Sequence, residues 1–224
     1  MAAGHHEVTR LEGFSDAVFG FALTLLVVSL EVPSSFEALK TQMQGFLGFA
    51  LMFAMVCWIW YEHNWFFRHT GLQDAWTAFL NSVLLFVVLF YVYPLKFLTA
   101  SLMAAWFGLG GSEAPQLASG NELLMLYSAG VVMIFGTFLL LYRHARSLTA
   151  GLSPTDVVDM RFASRAHAIS ALLGLTSVSI AALGYVAGWD ALAGIAGVIY
   201  ILMGPLHAWN GRQCAQAKER VIGA

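Results

Sequence analysis

Uncharged apolar runs recur along the chain, at Ala17–Leu30, Thr41–Tyr61, Ala75–Leu95, Leu123–Tyr142, Ala166–Trp189 and Ala191–Gly211. A helix rises about 1.5 Å per residue, so about 20 apolar residues are needed to cross about 30 Å of hydrocarbon. Five of the six runs reach that length, and the first reaches it when Phe14–Val32 is counted with its polar ends. Backbone amides must be satisfied internally in lipid, so each run is read as a helix. The pattern predicts an all-α integral membrane protein with six transmembrane helices per subunit.

Local punctuation refines the spans. Pro94 in the third and Gly204-Pro205 in the sixth are expected to bend their helices. Ser153-Pro154-Thr155-Asp156 reads as a helix start, with Ser153 as N-cap and Pro154 in the first helical position. It launches the fifth span, where Arg161 and Arg165 lie one turn apart, within reach of Asp156 or Asp159. The third helix is expected to extend toward Trp106 and end in the glycine-rich loop Gly108–Pro115.

Composition agrees with this solvent: 59% of residues are hydrophobic and 11% charged, with a mean hydropathy of +0.72, against about 25% charged in soluble domains. A net charge of −2 excludes nucleic acid and other polyanions as partners. With six spans, Arg10, Arg68, Arg143, Arg146, Arg161, Arg165, Arg212, Lys218 and Arg220 fall on one side and only Lys40 and Lys96 on the other. The positive-inside rule then places both termini in the cytosol. Glu7, Glu12 and Asp16 precede the first run and no small-residue cleavage pattern follows it, so that span is expected to be retained rather than removed as a signal peptide. Cys57 and Cys214 fall in different environments, so neither a disulfide nor a cysteine metal site is expected. No soluble domain is delimited: residues 1–224 read as one membrane domain, with a short cytosolic N-terminus (1–9) and a cytosolic tail (212–224).

The polar residues that remain are concentrated in Arg10-Leu11-Glu12-Gly13-Phe14-Ser15-Asp16, at the mouth of the first apolar helix. A carboxylate at the centre of a membrane helix costs about 2.5–3.5 kcal/mol, so Asp16 belongs near an interface and needs donors within the protein. His63, Asn64 and Asn81 lie at comparable depth. Downstream, helical spacing places Phe14, Val18 or Ala17, Phe21, Thr24 or Leu25, and Val28 on one face. Other polar features read more plainly. His5-His6-Glu7 is terminal, His144 and His207 lie near helix ends, and Trp58, Trp60, Tyr61, Trp65, Phe66 and Phe67 form an interfacial aromatic belt. Gly184 with Gly188, and Gly194 with Gly197, allow close packing of the last two helices.

The string Arg10, Phe14, Ser15 and Asp16, with the apolar continuation Ala17 to Val27 that includes Thr24, resembles the R-x-x-x-F-S-D mark of the transmembrane protein 175 family of potassium channels. Over the remaining residues the resemblance is architectural. It implies a potassium-selective, leak-like cation channel, a homotetramer of one six-helix repeat in its bacterial form, in the plasma membrane. It also implies a central pore lined by the first helices, which makes Phe21, Thr24 and Val28 pore-facing, with Leu25 beside them. The resemblance further implies a polar network of Arg10, Ser15, Asp16, His63 and Asn81, either gluing helices together or acting as a gate or ion sensor. Family members usually carry isoleucine or leucine where this chain has Phe21. No Thr-Val-Gly-Tyr-Gly filter is present, so selection would rest on hydrophobic constrictions and a threonine ring. The alternative for that face is ordinary helix packing, with Thr24 bonded to a carbonyl one turn earlier.

Neither rival class has matching residues. A secondary transporter calls for a midplane site with buried charge, and no span carries an acid or base between its interfaces. An intramembrane hydrolase calls for a nucleophile with its base, or a metal cluster such as His-Glu-x-x-His, and neither occurs. No enzyme activity, cofactor or metal is therefore expected, permeant potassium ions apart.

Overall fold

The computed structural model describes residues 8–28, 32–107, 120–148 and 153–223. Every regular element among them is helical: α1 (Arg10–Val28), α2 (Phe36–Gln44), α3 (Phe46–Thr70), α4 (Ala75–Phe107), α5 (Gly120–Leu148), α6 (Pro154–Ala187), α7 (Ala191–Val198) and α8 (Met203–Ile222), with a 3₁₀ turn at Ile199–Leu202 between the last two. Six helical stretches are long and apolar enough to cross a membrane, the sixth running from Ala191 through that turn to Ile222. The six expected spans are all present. The loop Gly108–Pro115 and the run His5-His6-Glu7 lie outside the described residues.

Helices overrun the uncharged stretches, because a formed helix propagates cheaply through polar flanks. Thus α3 continues nine residues past Tyr61 to Thr70 and stops where Gly71 takes a φ of 60°. The run beginning at Thr41 is not one element: α2 ends at Gln44, and Gly45 separates it from α3. In α4 the helix is carried through Pro94 to Phe107. Around Pro205 the irregularity falls upstream of the proline. Its ring and missing amide disfavour an α-helical bond to Ile201, and the chain tightens into the 3₁₀ turn at Ile199–Leu202 before α8 begins.

The chain forms two compact units. The first comprises Met1–Gly71 with Leu85–Ala118, and the second Leu72–Leu84 with Ser119–Ala224. In the first, α1 packs on α3. In the second, α5 and α6 form an extended pair, with His167 of α6 stacked against Phe138 at 4.8 Å and Tyr142 at 5.2 Å. Small residues bring these helices together. A β-carbon on Gly174 would lie 3.0 Å from methyl groups of Val131 and Val132. One on Gly184 would lie 2.6 Å from Asn121 Oδ1 and 2.9 Å from Leu192 Cβ. Gly188 serves differently, capping α6 with a φ of 67° that a side chain would disfavour. The hydroxyls of Ser128 and Ser177 meet at 2.8 Å, and Ser177 donates to the Ala196 carbonyl at 2.9 Å.

At the other end of α6, Ser153 caps the helix as expected, its hydroxyl accepting the Asp156 amide at 3.2 Å with Pro154 behind it. The basic residues there pair differently from the expectation. Asp159 is bound by Lys218 of α8 at 2.6 Å. Arg165 donates to Gln213 at 2.9 Å and lies 4.2 Å from the centre of the Trp209 ring. Because α8 packs along α6, its side chains reach these groups across the helix pair.

Candidate functional site

The start of α1 is fixed by a reciprocal capping box. The Thr9 amide donates to Glu12 Oε2 at 2.8 Å and the Glu12 amide to Thr9 Oγ1 at 3.2 Å. The Thr-x-x-Glu spacing was legible in the sequence and was missed there. From that start, Glu12, Ser15, Phe19, Ala22 and Leu26 are buried, alternating steps of three and four that define one side of the helix. On this side Phe19 meets the His63 ring edge to face at 5.4 Å. Ser15 spends its hydroxyl proton on the Leu11 carbonyl at 2.8 Å.

Asp16 accepts a hydrogen bond from the Trp60 indole at 2.7 Å. This donor is none of the expected His63, Asn64 and Asn81, and stands one turn before the first two on α3. An indole N–H is a donor only, which suits a carboxyl oxygen as its acceptor. His63 is buried and also packs at 4.6 Å on Phe67. Asn81 is buried in the second unit. Arg10 is exposed at the first position of α1. Asp16 thus pairs with Trp60, a residue outside the expected set, and His63 of that set lies beside Phe19 of α1. Trp60 was legible only as part of the aromatic belt. Two belt neighbours also have specific partners: Trp58 donates to Glu62 at 3.2 Å and Trp65 stacks on His69 at 4.0 Å.

Among the described residues the opposite side of α1 is left exposed. Phe14 and Phe21 are each 57% exposed and Val28 is 72% exposed, while Ala17 and Thr24 are also exposed and Leu25 is half-buried. At 100° per residue this stripe is roughly diametrically opposed to the buried one. Thr24 does bond back, donating to the Gly20 carbonyl at 2.9 Å. With its proton committed inward, the hydroxyl oxygen keeps lone pairs that can face outward as acceptors.

A second polar centre stands at the start of α4. Asp74 accepts from the Thr77 hydroxyl at 2.6 Å, from the amides of Trp76 and Thr77 at 3.0 and 3.2 Å, and from His144 Nε2 of α5 at 2.9 Å. These donors, the Thr77 hydroxyl first among them, hold the carboxyl down at about 2. The arrangement is an N-cap tied to a neighbouring helix, and Asp-x-x-Thr was its unread sequence signal. Among the described residues no group of three or more His, Cys, Asp or Glu side chains is placed to hold a metal ion.

Residues 10–91 match the family described as "Endosomal/lysosomal potassium channel TMEM175". A potassium channel of Marivirga tractuosa is 34% identical over 96% of this chain and 90% of its own length. One of Streptomyces collinus is 30% identical over 43% of this chain and 50% of its own. Among solved structures, a threonine-to-alanine variant of the potassium channel MtTMEM175, crystallised with a nanobody–MBP fusion, superposes with a TM-score of 0.80 at 34% identity, over 94% of this chain and 95% of its own. A lysosomal potassium-selective channel TMEM175 homolog from Chamaesiphon minutus shares the fold, with a TM-score of 0.60 at 21% identity over 93% of this chain and 98% of its own.

Proposed function

The chain belongs to the TMEM175 family of potassium channels, and from that premise we propose that it conducts potassium through a pore lined by the α1 helices of four identical subunits. Its family and relatives are channels and not enzymes. In this reading residues 1–224 act as one channel subunit, both termini lie in the cytosol, and the assembly resides in a bacterial plasma membrane.

The observation that carries the reading is the division of α1 into two opposed stripes. Glu12, Ser15, Phe19, Ala22 and Leu26 hold the helix in the subunit, and Phe14, Phe21, Thr24 and Val28 are left for another surface. A closed rotational assembly buries the same patch of every subunit against its axis, and four such stripes enclose a narrow path. Apolar rings at Phe21 and Val28 then constrict it, and four Thr24 oxygens, oriented by their bond to Gly20, offer weak ligands between them.

Selection follows from dehydration. Helical carbonyls are already bonded to amides and cannot fully replace lost water, so an apolar constriction favours the ion whose shell is stripped more easily, potassium over sodium. The result is a potassium-preferring leak. The phenyl ring of Phe21 can close the path more tightly than an aliphatic side chain or swing aside to open it.

The test is a bilayer recording of the purified protein in a potassium–sodium gradient. An ohmic current reversing toward the potassium potential is expected, and a saturable electroneutral flux would replace the channel with a transporter. In the same setting Thr24→Val should lower the potassium preference several-fold while leaving assembly intact. An unchanged reversal potential removes Thr24 from the mechanism.

A further inference from the structure

Arg10 belongs to the exposed stripe of α1 and not to the side that packs on α3. It precedes Val28 by five whole turns at 3.6 residues per turn, and Phe14, Phe21 and Thr24 lie on the same side between them. Its guanidinium is exposed. Among the described residues the acids within two turns are engaged elsewhere: Glu12 by the Thr9 amide and Asp16 by the Trp60 indole. The charge also stands at the helix end where the macrodipole disfavours a cation, so stability of α1 does not account for it. We propose that four Arg10 side chains form a cationic collar at the α1 N-terminal mouth of the pore, which admits monovalent ions and holds back divalent and polyvalent cations. This rests on the pore reading above.

The discrimination is a consequence of valence. A positive potential lowers the local concentration of an ion by a Boltzmann factor, and for a divalent ion that factor is the square of the monovalent one. At physiological salt, with a Debye length of about 8 Å, four guanidinium groups around a narrow mouth deplete potassium about threefold and magnesium about tenfold. The collar thus lowers conductance modestly and protects the apolar constriction from divalent block on one side only.

The experiment compares the parent, Arg10→Gln and Arg10→Lys in bilayers, with magnesium chloride added to either side. The parent current should fall more steeply than salt concentration between about 100 and 10 mM, where the Debye length grows from about 10 to 30 Å. Arg10→Gln should raise the current about threefold at physiological salt and by more at low salt, and let magnesium block from one side at about tenfold lower concentration, with an unchanged potassium–sodium reversal potential. Arg10→Lys, which keeps the charge, should behave as the parent. The collar is overturned if Arg10→Gln assembles with parental salt and magnesium dependence, if Arg10→Lys behaves like Arg10→Gln, or if the difference disappears in purely zwitterionic bilayers, which would make anionic headgroups the partner of Arg10. A Thr24→Cys channel with Cys57 and Cys214 replaced by serine separates the two readings. Modification by a charged methanethiosulfonate that alters the current, alongside an inert Arg10→Gln, sinks the collar alone. No effect of that reagent sinks the pore face and the collar with it.

Discussion

The α5–α6–α7 cluster and the first helix treat their surfaces in opposite ways. In the cluster, hydroxyls and glycines are turned inward: Ser128 meets Ser177, Ser177 reaches the Ala196 carbonyl, and Gly184 leaves room for Asn121. In α1, Phe14, Phe21, Thr24 and Val28 are turned outward. In lipid there is no hydrophobic drive to bury a greasy side chain, so close packing and polar contacts are what hold a helix pair together. The cluster has both along its length. By contrast, α1 meets α3 on one stripe and leaves the other uncommitted. Where the fold is locked, small and polar residues do the locking; where they are withheld, the surface remains open, as the proposed pore face requires.

The strongest way to break that contrast is at Gly184. A β-carbon there falls within 2.6 Å of Asn121 Oδ1 and 2.9 Å of Leu192 Cβ, and Asn121 is itself fixed to the Trp189 carbonyl at 3.2 Å. Overpacking of this kind costs about 1–3 kcal/mol for a small group and more for a large one. Gly184→Ala should therefore lower the thermal unfolding temperature in detergent clearly, and Gly184→Leu should prevent recovery of folded protein. A Gly184→Leu protein as stable as the parent would show that this packing is slack and that the two regions do not differ as described.

A smaller effect is expected at the Asp16–Trp60 tie between α1 and α3. Trp60→Phe keeps the ring and removes the donor to Asp16. A hydrogen bond to a charged group is worth about 1.5–3 kcal/mol when buried, and about 1 kcal/mol is expected at this exposed carboxylate. Thermal unfolding and the oligomer fraction by native mass should both fall, while the potassium–sodium reversal potential stays put. Altered selectivity in a protein that assembles normally would mean that the tie reaches the pore and is more than structural.

What the sequence disclosed followed from how each signal arises. Transmembrane spans were legible because apolarity over about 20 residues is a bulk property. The opposed stripes of α1 were legible because helical period alone separates Phe19 from Phe21. The short helix Phe36–Gln44 was not, since its apolar stripe of Phe36, Leu39 and Met43 is only two turns long and is interleaved with Glu37 and Lys40. The donor to Asp16 was mistaken for the same reason that the Asp159 partner was: contacts between side chains distant in sequence depend on how helices rotate and slide, and depth alone leaves Trp60, His63 and Asn64 equivalent. Local caps were different in kind, and Ser153 was read while Thr9 with Glu12 and Asp74 with Thr77 were passed over, although each follows a three-residue rule.

Acid offers the finest test, because it touches one polar tie and spares another. The Ser128–Ser177 pair has no proton to gain in the accessible range. Asp74 does, and its donors hold its carboxyl at about 2, below the ordinary value of 3.8. A carboxyl depressed in the folded state stabilises fully above its unfolded value and loses that contribution as pH falls through the folded one, so the window runs from about pH 4 down to about 2. Its side chain is 37% exposed, and solvent screening reduces the contribution to about 1 kcal/mol. Acid titration of the parent should therefore show a stability loss of that size in the window, shared by a Ser177→Ala protein and diminished in Asp74→Asn, where no carboxylate remains to protonate. If Asp74→Asn retains the full parental slope between pH 4 and 2, the charge on Asp74 is not what joins the start of α4 to His144.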